Sequence, residues 1–180
     1  MAEPVNPPPL LQSRAEIHVD ATPAEVYAVI SDLPRSGEWS AECVGGRWIA
    51  GTPATVGAVF QGDNLRRDDV VAWAPVVRGR WSTEAEVVAA DPGRSFRWAM
   101  RDSAGNAQDS VWAFDIEPDG DGARLVHHFR MGRPTEGIRK IVSGLDDGRR
   151  ARFFAEWGEK VRGDLAETLQ RIKPVIEKDA

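Results

Sequence analysis

The chain has 180 residues, enough for one domain around one core, and 42% of them are hydrophobic. Its 28 acidic and 23 basic residues are interspersed and leave a net charge of -5, with no basic stripe of the kind a phosphate backbone requires, which argues against nucleic acid as a partner. A single cysteine, Cys43, has no partner for an internal disulfide, and no apolar run approaches the roughly 20 residues needed to cross a bilayer, so integral membrane association is not expected.

Residues 1–12 carry four of the twelve prolines and read as a flexible tail, leaving 13–178 as a single domain. The opening MAEPVNPPPLLQ lacks both a charged n-region and an apolar h-region, and the expected location is cytoplasmic. From Ser13, Ala15, Ile17 and Val19 alternate with Glu16, His18 and Asp20, the period-two pattern of a strand buried on one face. Thr22, Pro23 and Glu25 form a capping-box signature that starts a short helix ending at Leu33-Pro34. Arg35–Cys43 reads as a second short turn or helix, and Val44–Ala50 as a strand weakened by Gly45-Gly46.

Downstream the alternation sharpens. Gly57–Arg66 places Ala58, Phe60, Gly62, Asn64 and Arg66 on one face, and Arg80–Ala89 does the same with Trp81, Thr83, Ala85 and Val87. Asp91-Pro92-Gly93 turns the chain into a strand bearing Phe96, Trp98 and Met100, and Ser103–Asn106 turns it again. The next strand aligns Trp112, Phe114 and Ile116, and the turn at 118–122 leads to Leu125, His127, Phe129 and Met131. Together these runs predict an antiparallel meander.

Residues 132–145 hold three glycines and a proline, yet Ile138, Ile141, Val142 and Leu145 fall at near-helical spacing, the pattern of a partly apolar flap. Asp146 or Asp147 caps a closing helix expected to run to about Lys173, with Phe154, Trp157, Val161, Leu165, Leu169, Ile172 and Ile176 as its apolar stripe. Gly158 and Gly163 inside that helix either leave room for a ligand or reflect tight packing or simple tolerance.

Several chemistries lack their signatures. His127 and His128 are adjacent on a strand and point to opposite faces, so they form no chelating pair, and no metal site is expected. There is no Gly-x-Ser-x-Gly elbow, no motif pairing Cys43 with a histidine, and no phosphate-cradling glycine loop; no cofactor is expected. The charge runs Arg66-Arg67-Asp68-Asp69 and Asp146-Asp147-Gly148-Arg149-Arg150 read as solvated.

The stretches Glu38–Cys43, Gly57–Arg66, Arg80–Thr83, Asp91–Gly93 and Trp112–Pro118, with the closing helix, resemble the SRPBCC superfamily, which includes START-like lipid-transfer domains and polyketide cyclase/dehydrase-like proteins, and are most similar to its bacterial cyclase-like branch. That resemblance covers roughly residues 13–175. It implies an α+β helix-grip fold: a curved antiparallel sheet wrapped around a long C-terminal helix, with two short helices near the N-terminus. It also implies a cavity between helix and sheet that binds a hydrophobic, lipid-like or polycyclic molecule.

The strand registers then name the expected ligand-binding walls: Phe60, Trp81, Thr83, Phe96, Trp98, Trp112, Phe114 and Phe129, with Trp157 from the helix. Three polar residues on these faces, His127, Asn64 and Arg66, are the candidate catalytic groups should the protein be a cyclase; Asn64 and Arg66 would polarise a carbonyl and His127 would exchange protons. The competing readings are a hydrogen-bonded structural histidine and an arginine at the solvent rim. Three functions follow: carrier or sensor, polyketide cyclase/dehydrase, and an interaction module similar to Hsp90-ATPase-activator-like proteins. The expected partner is a hydrophobic small molecule, and the expected state a monomer or homodimer.

Overall fold

The structure is a computed structural model and describes residues 7–180. Seven strands form one antiparallel sheet: β1 (Leu11–Val19), β2 (Cys43–Ala50), β3 (Val59–Arg66), β4 (Gly79–Asp91), β5 (Ser95–Arg101), β6 (Ala107–Asp119) and β7 (Gly122–Met131). Their spatial order is β1-β7-β6-β5-β4-β3-β2, so the meander from β2 to β7 is continuous and β1 closes onto its far end. Three helices, α1 (Pro23–Ile30), α2 (Glu136–Val142) and α3 (Asp147–Asp179), and a 3-10 turn at Leu33–Glu38 complete the chain. This is the helix-grip architecture.

Local chemistry accounts for the element starts. Thr22 Oγ1 accepts from the Glu25 amide while the Glu25 carboxylate accepts from the Thr22 amide at 2.8 Å, a complete capping box at α1. Asp146 Oδ1 accepts from the Arg149 amide at 2.8 Å and caps α3. In β2, Gly46 sits at φ +154°, and a Cβ there would lie 2.1 Å from the Gln61 carbonyl oxygen. The glycine pair thus permits close approach of β2 to β3.

Three boundaries differ from expectation. Strand β1 begins at Leu11 rather than Ser13: Leu11 and Gln12 pair with Met131 and Arg130 because β7 is long enough to template two further residues. The expected tail residues 1–6 lie outside the described residues. On α3 the stripe begins at the fully buried Phe153 rather than Phe154, which is half-buried beside it, because the step of four from 153 to 157 fits the helical period. The helix also runs six residues past Lys173, through Pro174. Its last turns are held by the buried Ile172 and Ile176, by Lys173 Nζ donating to the His18 carbonyl (2.8 Å), and by an Arg35–Asp179 ion pair (2.7 Å). These contacts offset the missing proline donor.

The core divides in two. One cluster packs α1 and the C-terminal half of α3 on the sheet through Val26, Ile30, Phe96, Phe114, Leu169 and Ile172. The other gathers Phe129, Met131, Ile138, Phe153, Trp157 and Leu165 with Val71, Ala74 and Val76 of the β3–β4 loop. A cavity opens where the two clusters meet.

Candidate functional site: a cavity between helix and sheet

The cavity measures about 570 Å³ and is bounded by the inner faces of β3 to β7, by α2, by one side of α3 and by the segment 39–43. Its walls follow the period-two register: Phe60, Asn64 and Arg66 from β3, Trp81 and Thr83 from β4, Trp98 from β5, Trp112 from β6, His127 and Phe129 from β7, with Trp157 opposite on α3. Phe96 and Phe114, also named from the sequence, share the inward face but do not line the cavity. They are fully buried where α1 and the C-terminal half of α3 sit on the sheet, and Phe96 meets the Tyr27 ring edge-on at 6.2 Å. Gly158 and Gly163 are not in the wall either: Gly158 borders a separate groove between β1 and α3, and Gly163 is exposed.

His127 is buried and nearly coplanar with Phe114, with ring centroids 4.0 Å apart. Its Nδ1–H donates to the Ala113 carbonyl at 2.9 Å, which fixes the tautomer and leaves Nε2 an unprotonated acceptor, engaged by no described residue. Burial is the main cause that lowers its pKa to about 4, so the ring is neutral at pH 7. Asn64 Nδ2 donates to Thr83 Oγ1 at 3.1 Å and to the Gly62 carbonyl at 3.3 Å.

Arg66 is not at a solvent rim. It is 7% exposed, and its guanidinium carbon lies over the rings of Trp81 (4.4 Å) and Trp157 (5.1 Å). Nη2 and Nε donate to the two oxygens of Glu42 (2.6 and 3.2 Å), and Nη1 donates to the Val77 carbonyl (2.9 Å). A fork met by a carboxylate in this way explains how a guanidinium enters an apolar wall.

Glu42 also accepts from Lys160 Nζ (2.5 Å), and the same ammonium reaches Asp164 Oδ2 at 2.5 Å, giving a four-membered charge network inside the cavity. Burial pushes the Glu42 carboxyl up, but the bonds from Arg66 and the charge of Lys160 outweigh it and hold Glu42 below its ordinary range. Asp164, with only Lys160 beside it, is left raised by burial. The Ser40–Glu42 segment is fixed on α3 by Thr168 Oγ1, which accepts from the Ala41 amide (3.2 Å), and by Arg171, which donates to the Ser40 carbonyl (2.6 Å).

Two cover elements complete the site. The flap read at 132–145 is α2, capped by Thr135, and it lays Ile138 and Ile141 over the cavity. Glu136 at its start accepts from the Ser103 amide and hydroxyl, both at 2.8 Å, and these bonds, with Lys140, hold its carboxyl at about 2. The second cover is the β3–β4 loop, which places Pro75 and Val77 in the wall. One arginine organises it: Arg78 donates to the carbonyls of Val70, Val71, Ala74 and Val76. Val71 is held there at φ +42°, a conformation a β-branched residue rarely adopts.

Residues 11–177 match the family of polyketide cyclase / dehydrase and lipid transport proteins. The chain belongs to that family. Among solved structures it is similar to the Polyketide_cyc-like protein Cgl2372 from Corynebacterium glutamicum, at 26% identity over 94% of both chains with a TM-score of 0.57. It shares the fold of the di-domain ARO/CYC StfQ from the steffimycin biosynthetic pathway, at 12% identity and a TM-score of 0.63, covering 93% of this chain and 51% of that one. It likewise shares the fold of the Aha1 dimer from Colwellia psychrerythraea, at 14% identity over 93% of this chain and 96% of that one, with a TM-score of 0.52. No curated protein matches. Among the described residues, no helix is long and apolar enough to cross a membrane, and no group of three His, Cys, Asp or Glu side chains is placed to hold a metal ion.

For this family member, the sequence reading missed Lys160 and Asp164. A signal was present: steps of three and four from Trp157 lead to Lys160, Asp164 and Thr168, a polar row flanking the apolar stripe. Cys43 lines the cavity as well, but its Sγ accepts from Ser36 Oγ (3.1 Å) and donates to the Gly45 carbonyl (3.3 Å), and burial pushes its thiol up, which leaves a packed thiol rather than a nucleophile.

Proposed function

We propose that the protein binds a hydrophobic small molecule, lipid-like or polycyclic, between α3 and the sheet, acting as a carrier or sensor. The observation that carries this reading is the cavity itself: about 570 Å³, walled by Phe60, Trp98, Trp112, Phe129 and Trp157, and covered by two apolar flaps. Close-packed interiors leave few voids larger than a water molecule, so a space of this size is a feature selected against the packing tendency of the core. Membership of a family described for both cyclisation and lipid transport supports the same reading.

Native mass spectrometry of the purified protein beside its denatured mass tests it, with Trp98→Ala as the control. A co-purifying apolar molecule, or binding of the neutral dye N-phenyl-1-naphthylamine that weakens at least fivefold in Trp98→Ala, is the expected result. A folded protein that takes up neither overturns the reading.

A specific observation favours cyclase chemistry as the second reading. His127 is a neutral imidazole whose Nε2 has no described partner, in a wall otherwise built of aromatic rings. Such a nitrogen accepts a proton from a carbon acid held against Trp98 and Trp112 and returns it to the departing hydroxyl of a dehydration. Turnover of a poly-β-ketone substrate that survives in His127→Ala removes this histidine from the reaction.

A further inference from the structure

We infer that Lys160 and Asp164 form a polar recognition subsite for a neutral ligand carrying a hydroxyl beside a carbonyl, and that the cavity rejects the matching carboxylate. The inference rests on the binding reading above and adds the class of molecule.

The argument is an inventory of unused hydrogen-bonding capacity. Arg66 lies over the indole rings of Trp81 and Trp157 and directs its fork into Glu42 and the Val77 carbonyl. Both oxygens of Glu42 are taken, one by Arg66 Nη2 and the other by Arg66 Nε and Lys160 Nζ. Lys160 Nζ lies 2.5 Å from both Glu42 Oε2 and Asp164 Oδ2 and 5.4 Å from the centroid of the Trp157 ring, so one of its three ammonium hydrogens has no described oxygen acceptor. Asp164 Oδ1 meets no described donor. The network therefore offers the cavity one ammonium N–H and, on the next residue of the same helical row, one carboxylate oxygen. That pair complements a carbonyl acceptor next to a hydroxyl donor.

The same inventory argues against an acid. Every cation in the wall already has a carboxylate: Arg66 has Glu42, Lys160 has Glu42 and Asp164, Arg101 has Glu84 at 3.0 Å, and Lys140 has Glu136 at 3.2 Å. A ligand carboxylate would enter a low-dielectric space beside Asp164 with no unmatched cation to receive it.

The test is competition against N-phenyl-1-naphthylamine by three naphthalenes of one shape: 2-acetyl-1-naphthol, its carboxylate counterpart 1-hydroxy-2-naphthoate, and 2-acetylnaphthalene, which lacks the hydroxyl. The acetylnaphthol is expected to bind at least tenfold tighter than the carboxylate and at least threefold tighter than acetylnaphthalene. Asp164→Asn, which keeps the shape and removes the charge, is expected to collapse the first ratio below threefold. Equal or tighter binding of the carboxylate by the unsubstituted protein overturns the assignment, as does a ratio unmoved in a folded Asp164→Asn. Should that variant not fold, the two ratios in the unsubstituted protein decide. A folded protein that takes up neither the dye nor a co-purifying apolar molecule overturns the cavity reading instead, so the two are distinguishable.

Discussion

His127 is a base placed where its charged form has no solvent. Its ring stacks on Phe114, its Nδ1–H is committed to a carbonyl of the neighbouring strand, and its pKa falls from the ordinary 6.5 to about 4. Between those two values the unfolded chain binds a proton that the folded chain does not, so stability is present above pH 6.5 and declines as pH falls towards 4. The effect amounts to about 3 kcal/mol for a shift of this size. His127→Phe should remove that slope, measured as the difference between variant and unsubstituted protein in urea unfolding from pH 7 to pH 4.5; an unchanged difference across the window assigns the acid sensitivity to another group. The inward orientation of His127 was legible because strand alternation is local. The burial of Arg66 was not, because a guanidinium enters an apolar wall only with Glu42, 24 residues away, and two indoles to receive it.

Element by element, legibility depended on whether the deciding contact was near in sequence. The capping box of α1 and the alternation of β4 to β7 are written within a few residues, and those elements formed where read, while the near-helical spacing read as a flap at 132–145 is α2. The β3–β4 loop was not legible: its opening Arg67-Asp68-Asp69 marks solvent, while the apolar run that follows folds inward only because Arg78 gathers four carbonyls and Trp73 Nε1 donates to Glu156 on α3 at 2.7 Å. The two covers differ in attachment. The loop is anchored through its backbone, whereas α2 is tied to the β5–β6 turn by Glu136 and to β6 by its own amide, which donates to Gln108 Oε1 at 2.7 Å. On these attachments α2, rather than the loop, is the element expected to open. Glu136→Ala should therefore speed dissociation of N-phenyl-1-naphthylamine several-fold in stopped-flow experiments with little change in thermal stability, since the latch is a surface contact. An unchanged off-rate would place the entrance elsewhere.

For the molecule as a whole, fold and cavity have one cause. A single long helix covers the sheet, and its stripe seals against β1 and β7 on one side while the β3–β5 side is held off by large indoles and a charge network. The resemblance carried by element order and local motifs implied that architecture, but not the charge network, whose members come from the 39–43 segment, β3 and α3. Around a cavity of this size the wall side chains lack contacts that a close-packed core would make. A ligand that supplies them binds the folded state alone, and at a free concentration one hundred times its dissociation constant adds about 2.7 kcal/mol to the unfolding free energy. For a domain of this size each kcal/mol moves Tm by about 2–4 °C, so saturation should raise Tm by about 5–10 °C. Differential scanning calorimetry with N-phenyl-1-naphthylamine measures this directly, and Trp98→Ala at the same dye concentration should show a smaller rise because the dye then occupies fewer molecules. A full rise in Trp98→Ala would mean that the dye is held away from the aromatic wall, and that the stabilising contacts lie in the groove between β1 and α3.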